Sequence, residues 1–307
     1  MPNGILLVDK PDGMTSHGVV ARVRKLAGTR KVGHAGTLDP MATGLLVLGL
    51  GASTRLLTWI VGADKEYRAT IRLGSTTVTD DREGDVLETA EPAAITAVAD
   101  AAILDGIAEL TGDIEQVPSA VSAIKVDGVR SYAKVRAGED VTLSARAVTI
   151  SAFDVLDLRR AETWIDVDVR VECSSGTYIR ALARDLGAGL GIGGHLTALR
   201  RTRIGAFAVT EAHTLDGLAA ASDDTAASVE SALLPPAAAA GRFLPTLPLT
   251  ADEAVDLGHG KKVAPHPDGH PVGPLAAVAP DGRLVGIAHV DRGALRTLVN
   301  FPAEESS

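Results

Sequence analysis

The 307 residues carry a formal charge of −9 and a 46% apolar share, which supplies a large core and argues against a general nucleic-acid binder. No run of about 18 apolar residues marks a membrane helix, and the start MPNGILLVDKP lacks the charged end and long apolar stretch of a signal peptide. Cys173 is the sole cysteine, so an internal disulfide is excluded and a cytoplasmic protein is expected.

In chain order, GILLVDKP reads as a short strand stopped by Pro11. SHGVVARVRKLAG reads as a helix capped by Ser16, with Val19, Val20, Val23, Leu26 and Ala27 as its apolar stripe and Gly28 at its end. GHAGTLDPMATG, residues 33 to 44, reads as a loop, LLVLGL as a buried strand and STRLLTWI as a short helix. In KEYRATIRLG, Tyr67, Ala69, Ile71 and Leu73 alternate with Glu66, Arg68, Thr70 and Arg72, the pattern of a strand with one buried face. VDG at 126 to 128 offers a hairpin turn. WIDVDVRVEC turns Ile165, Val167, Val169, Val171 and Cys173 inward, which makes Cys173 a core residue rather than a nucleophile. SSGTYIRALARDLG then passes from strand to helix, with Ser or Thr capping and Gly187 closing.

The texture changes at 217 to 245, an alanine-rich segment read as a peripheral helix running into a linker. Thr250 and Glu253 form a capping-box pattern, and strands punctuated by Asp281-Gly282 and Asp291-Arg292-Gly293 predict a small β-rich, barrel-like module over 246 to 307. Interspersed helices and hairpin-joined strands favour an α+β fold with a mixed or antiparallel sheet over a doubly wound one.

Charge is uneven. Lys10, Arg22, Arg24, Lys25, Arg30 and Lys31 make one basic cluster and Arg200, Arg201 and Arg203 another, either of which can attract phosphates or be ordinary solvated charge. GLGIGG at 189 to 194 fits G-x-G-x-x-G but follows a helix pattern, so it reads as a helix stop and loop, not a dinucleotide site. His259, His266 and His270 read as solvated loop histidines, and the sequence has no C-x-x-C, H-E-x-x-H or G-x-S-x-G. No metal and no cofactor is therefore expected. Asp39, before Pro40, is either a local turn residue or a working carboxylate; the motif alone leaves both open.

GILLVDKPDGMTSH, GHAGTLDPMATGLLVLGLG, KEYRATIRLG, GDIEQVPSAVSAIKVDGVRSY, CSSGTYIRALARDLG and HLTALRRTRIG occur in an order and wording that resemble the bacterial tRNA pseudouridine synthase B family. The resemblance spans most of the first 205 residues, and residues 246 to 307 resemble, more loosely, the family's PUA-type RNA-binding domain. It implies a synthase core over 1 to 245, with a central mixed, largely antiparallel sheet flanked by helices. It also implies an isomerase acting on uridine 55 in the TΨC stem-loop of tRNA, without guide RNA, obligate protein partner or membrane, as a monomer.

The resemblance assigns the essential carboxylate to Asp39, its ion-pair partner to Arg180 and the residue packing on the target base to Tyr67. It assigns His34 to filling the space vacated by the flipped nucleotide or supporting its flipped conformation, and Tyr178 and Leu199 to the uridine pocket. Lys10 and the basic helix following Ser16 are read beside it as phosphate contacts. Asp39 can add to C1′ or assist elimination through C2′; the residues leave both open. A catalytically dead RNA binder, a guide-dependent relative of the dyskerin type and a nucleoside hydrolase using Asp39 are the competing readings.

Overall fold

The computed structural model describes residues 1–119, 125–126, 129–130, 143–221, 224–264 and 273–302. Residues 127 and 128 of the hairpin turn expected at 126 to 128, and His266 and His270, lie outside the described residues.

The strands are β1 (Gly4–Lys10), β2 (Val32–Ala35), β3 (Thr43–Leu50), β4 (Lys65–Leu73), β5 (Ser75–Thr77), β6 (Val86–Thr89), β7 (Gly112–Gln116), β8 (Lys125–Val126), β9 (Val129–Arg130), β10 (Arg146–Arg160), β11 (Ile165–Cys173), β12 (Gly194–Ile204), β13 (Phe207–Ala208), β14 (His213–Thr214), β15 (Thr246–Pro248), β16 (Leu275–Val278), β17 (Leu284–Asp291) and β18 (Ala294–Asn300). A 10-stranded mixed sheet runs in the order β14-β1-β3-β12-β4-β11-β10-β7, with β2 on β3 and β13 on β12. Its pairings are antiparallel except β1 with β14 and β3 with β12. The α+β expectation of a mixed, largely antiparallel sheet flanked by helices is met.

The β3–β12 contact is short, pairing only Arg200 with Thr43 and Arg201 with Gly44. Gly44 lies here at φ +98°, and a Cβ on it would come within 2.3 Å of the Arg201 carbonyl oxygen. Glycine is what lets the two backbones meet. The chain segment carrying Asp39 enters β3 at this seam.

The two sides of the seam are buried differently. In β1, Leu6 and Val8 pack toward helix α1 (Ser16–Leu26) while Ile5 and Leu7 pack on the opposite side, so the strand is apolar throughout. In β4 and β11 one face is buried, and their alternation follows from it. Helices α2 (Leu57–Val61), α3 (Pro92–Ala97), α4 (Asp100–Glu109) and α5 (Ile179–Gly189) complete the layers that matter for the site.

Several local expectations shift by a residue or more. Thr15, not Ser16, caps α1 by accepting from the Gly18 amide. Residues 33 to 35 are not loop but part of β2. The cap of α5 is Tyr178, with no side-chain capping bond, and the helix runs past Gly187 to Gly189. Gly187 is instead a packing point, since a Cβ there would sit 2.2 Å from the Gly193 carbonyl carbon. The segment read as a peripheral helix running into a linker forms, among the described residues, three short helices, Leu215–Ala220, Thr225–Ser231 and Pro236–Ala240. Val229, Ala239 and Ala240 are fully buried there, and Leu234 exchanges backbone hydrogen bonds with Ile5.

Near the C-terminus, a four-stranded sheet runs β15-β16-β17-β18, and the Thr250–Glu253 capping box forms as the sequence indicates. Ala276, Leu284, Ile287 and Phe301 from this region join Ile5, Leu7, Leu45 and Val47 in one apolar cluster. No helix among the described residues is long and apolar enough to cross a membrane.

Candidate active site

Four pieces of chain meet at the seam. The segment 36–42 links β2 to β3, the start of α5 follows β11, and β4 and β12 form the wall behind them. They enclose a cavity of about 280 Å³ lined by Asp39, Tyr67, Tyr178, Arg180 and Leu199 among others. That is near the lower end of small-molecule pockets, ~300 Å³.

Asp39 is the one carboxylate among the residues that line this cavity. Arg180 Nε lies 3.0 Å from Asp39 Oδ2, and Arg180 Nη2 donates to Oδ1 at 3.3 Å. The guanidinium is buried, while the carboxylate keeps 36% of its side-chain surface open. The cation is thus a fixed part of the protein, and the anion is the more open partner, on the cavity wall. Arg180 is anchored from behind by the Thr79 carbonyl at 2.7 Å and by Asp81 Oδ2 at 3.6 Å. Asp81 is itself buried and takes bonds from the Thr79 hydroxyl and the Glu83 amide. The acidic stretch TDDREGD therefore hides one carboxylate that serves the site, which charge counting alone does not single out.

The segment bearing Asp39 is gripped from below. Ser16 Oγ accepts from the Leu38 amide at 2.8 Å and donates to the Leu38 carbonyl at 3.0 Å. Arg201 donates to the carbonyls of Leu45 at 2.8 Å, Gly36 at 3.1 Å and Thr37 at 3.5 Å. Lys10 Nζ donates to Pro40 O at 3.0 Å and to the carbonyls of Pro11 and Met14. Lys10 is wholly buried, and that burial lowers its ammonium to about 8. Its reading as a phosphate contact is corrected: it faces backbone carbonyls, not solvent.

Tyr67 sits 7% exposed on β4, directly across from Arg201 on β12. Burial pushes its hydroxyl up from the ordinary range, against the opposing effect of Arg201. Leu199, also on β12, closes the same wall. Tyr178 is held by Gln116, whose side chain donates to its carbonyl at 3.1 Å and accepts from its amide at 2.8 Å.

His34 does not line the cavity. It lies on β2, its ring 5.4 Å from that of His17 in an edge-on arrangement, and burial followed by His17 lowers its pKa. The second basic cluster is also not a free surface: Arg201 is buried, Arg200 pairs with Asp9 at 2.7 Å and Arg203 bonds to Gly205 O. Cys173 is buried, and burial raises its thiol to about 11, as befits a core residue. Among the described residues no group of His, Cys, Asp and Glu could hold a metal.

A mixed sheet that carries an arginine-paired carboxylate on the wall of an aromatic-lined cavity has the make-up of an enzyme site rather than of a plain binding surface. Comparison with known proteins makes this specific. Residues 24–179 match the family described as TruB family pseudouridylate synthase (N terminal domain). Residues 180–239 match the tRNA pseudouridylate synthase B C-terminal domain, and residues 244–302 match tRNA Pseudouridine synthase II, C terminal. The tRNA pseudouridine synthase B of Leifsonia xyli is 62% identical, covering 99% of this chain and 98% of that protein. That of Thermobifida fusca is 52% identical, covering 98% and 99%. Among solved structures, a chain of a Cbf5-Nop10-Gar1 complex superposes with a TM-score of 0.71 at 26% identity, covering 98% of this chain and 86% of that one. The chain belongs to the TruB family of pseudouridylate synthases.

Proposed function

We propose that this chain is a tRNA pseudouridine synthase that converts uridine 55 in the TΨC stem-loop to pseudouridine, alone and without guide RNA. The observation that carries the reading is the Asp39–Arg180 pair, open on its carboxylate side to a base-sized cavity. The near-full-length likeness to curated synthases at 52% to 62% identity supports the tRNA substrate.

The chemistry follows from the residues. Uridine must lose its N1–C1′ bond, turn its base and rejoin through C5. No electrons are gained or lost, so the reaction itself calls for no redox cofactor. Cleavage leaves C1′ electron-poor, and a carboxylate beside that carbon stabilises it, as in glycoside cleavage. Attack on C1′ and proton removal at C2′ both need an anion where Asp39 stands. Arg180 orients it, and Tyr67, Tyr178 and Leu199 hold the ring. Flipping the nucleotide out costs roughly a few kcal/mol, and His34, outside the cavity, is assigned to the RNA around the flipped base.

We assign residues 1–245 to the catalytic part and 246–307 to a PUA-like RNA-binding part, acting as a cytoplasmic monomer. The deciding experiment incubates the purified protein with an unmodified tRNA transcript and maps pseudouridine. Conversion at position 55 alone supports the reading. Activity only with added guide RNA and proteins would favour the dyskerin-type reading, and release of free uracil would favour a hydrolase.

A further inference from the structure

The cavity is lined by four ionised side chains, Asp39, Lys65, Arg180 and Arg201, of which only Asp39 is anionic. Asp39 is matched to Arg180. Lys65 and Arg201 make no ion pair with a carboxylate among the described residues, although they are only 6% and 1% exposed. Lys65 donates to the carbonyls of Val61 and Ala63 at the end of α2, and Arg201 to those of Leu45, Gly36 and Thr37. The two cations converge behind Gly36: a Cβ on that residue would lie 3.5 Å from Arg201 Nη1 and 4.0 Å from Lys65 Cε. Carbonyl dipoles solvate such charges but do not neutralise them, and buried uncompensated charge is costly. A wall that keeps two cations at this cost is suited to an anion that is present only during the reaction.

Resting on the function proposed above, we propose that Lys65 and Arg201 stabilise the negative charge that leaves with the uracil ring. When the N1–C1′ bond breaks, its electron pair departs on N1 and spreads to O2 and O4. After the ring turns, C5 uses that pair to bond C1′, the C5 proton is released, and N1 takes up a proton. Preorganised positive charge aimed at the free ring stabilises the stage between the two bonds, when its charge is greatest. Lys65 and Arg201 are thereby catalytic residues for the departing base, whereas Asp39 serves the sugar.

The groups facing Lys65 are Arg201 on β12, Cys173 on β11 and Asp64 beside it, with Asp39, Arg180 and Tyr67 across the cavity. Burial first, then Arg201, lowers its ammonium to about 8. Its charge is therefore lost as pH rises through that value.

The test measures RNA affinity and the single-turnover rate at which the N1–C1′ bond is exchanged for C5–C1′, here called conversion, with tRNA transcripts carrying either uridine or 5-fluorouridine at the target. The fluorinated ring keeps its fluorine and has no C5 proton to release, so its product is read as the rearranged nucleotide and not as pseudouridine. Fluorine withdraws electrons, so the fluorinated ring leaves with less help. At neutral pH, Lys65→Met should slow conversion of uridine by ~100-fold, conversion of 5-fluorouridine by less than ~10-fold, and leave affinity nearly unchanged. Equal slowing of both RNAs, or no slowing, overturns the proposal. So does a loss of affinity that accounts for the loss of rate, which would set Lys65 against an RNA phosphate.

Lys65→Arg keeps the charge at every pH tested and guards against a methionine variant that does not fold. Wild-type conversion of uridine should decline above about pH 8, and the arginine variant should not. A decline retained in the arginine variant overturns the proposal. A wild-type protein that makes no pseudouridine fails the functional reading itself, before either variant is compared.

Discussion

The Ser16 hydroxyl holds both backbone groups of Leu38, accepting from its amide at 2.8 Å and donating to its carbonyl at 3.0 Å, one residue before Asp39. A side chain at the start of α1 thus sets the backbone from which the carboxylate projects. Ser16→Ala leaves two buried backbone groups unpaired, at ~1–3 kcal/mol each when nothing replaces the bond. The expected outcome is a lower melting temperature with a larger fall in kcat than in tRNA affinity. A variant that is destabilised but turns over at the wild-type rate would show that Lys10 and Arg201 suffice to fix the segment.

Asp39→Asn keeps the shape of the side chain and removes its charge. Turnover should vanish while tRNA binding persists, because the Arg180 guanidinium remains anchored by Thr79 and Asp81. Binding is read by filter retention and turnover by pseudouridine mapping. Residual turnover within tenfold of wild type, only ~1.4 kcal/mol of barrier, would remove Asp39 from the central role.

What the sequence discloses and what it hides divide along physical lines. Period-two alternation locates Tyr67 and Cys173 on buried strand faces, because β4 and β11 are buried on one side only. The Asp39–Arg180 contact joins residues 141 apart, and no local pattern encodes it; the family resemblance supplies it. Lys10 and Arg201 look basic in sequence and count toward surface charge, yet both are buried and donate to backbone carbonyls. Which lysine faces water is decided by tertiary packing, which composition does not record. Ser16 reads as a cap because Ser and Thr are near-equivalent cappers, and Thr15 takes that position one residue earlier.

Electrostatic binding of RNA should draw on the exposed side chains of Arg22, Arg24, Lys25, Arg30 and Lys31, since the 200–203 cluster is largely spent within the protein. Replacing Arg22 or Lys25 with Gln should weaken tRNA binding and lower the dependence on log salt by roughly 1 for each phosphate that is no longer neutralised. Arg200→Gln should instead show its main effect in thermal stability, because the Asp9 pair is broken. Salt titrations of affinity that place the larger slope change at Arg200 would reverse this assignment.

Removing residues 246–307 strips Ala276, Leu284, Ile287 and Phe301 from the cluster that also contains Ile5, Leu7, Leu45 and Val47. The truncated protein should bind tRNA more weakly and also melt at a lower temperature, because apolar surface of this shared cluster, including the helix Pro236–Ala240 that packs on β16, is newly wetted, at ~25 cal/mol for each Å². Single-turnover chemistry at saturating tRNA should change less than affinity. A truncated protein with unchanged melting would show that this shared core contributes little.

Tyr67 is where packing and chemistry overlap. Its ring is buried in the cavity wall, and burial pushes its hydroxyl up, so at neutral pH it is a phenol and not a phenolate. It can take up the C5 proton only by passing its own proton onward. Tyr67→Phe keeps the ring, so the fold and the support of the flipped base should survive. Tyr67→Leu loses the aromatic face and should weaken that support by about 1–3 kcal/mol. The C5 hydrogen is lost only after the base has been rejoined, so tritium at C5 of the target uridine reports that last step alone. With Phe, tritium release should fall strongly while affinity changes little, and a quenched time course should show the rejoined, still C5-protonated adduct accumulating. Wild-type tritium release by Phe, with slow release by Leu, would leave Tyr67 with a packing role and assign the proton to another group.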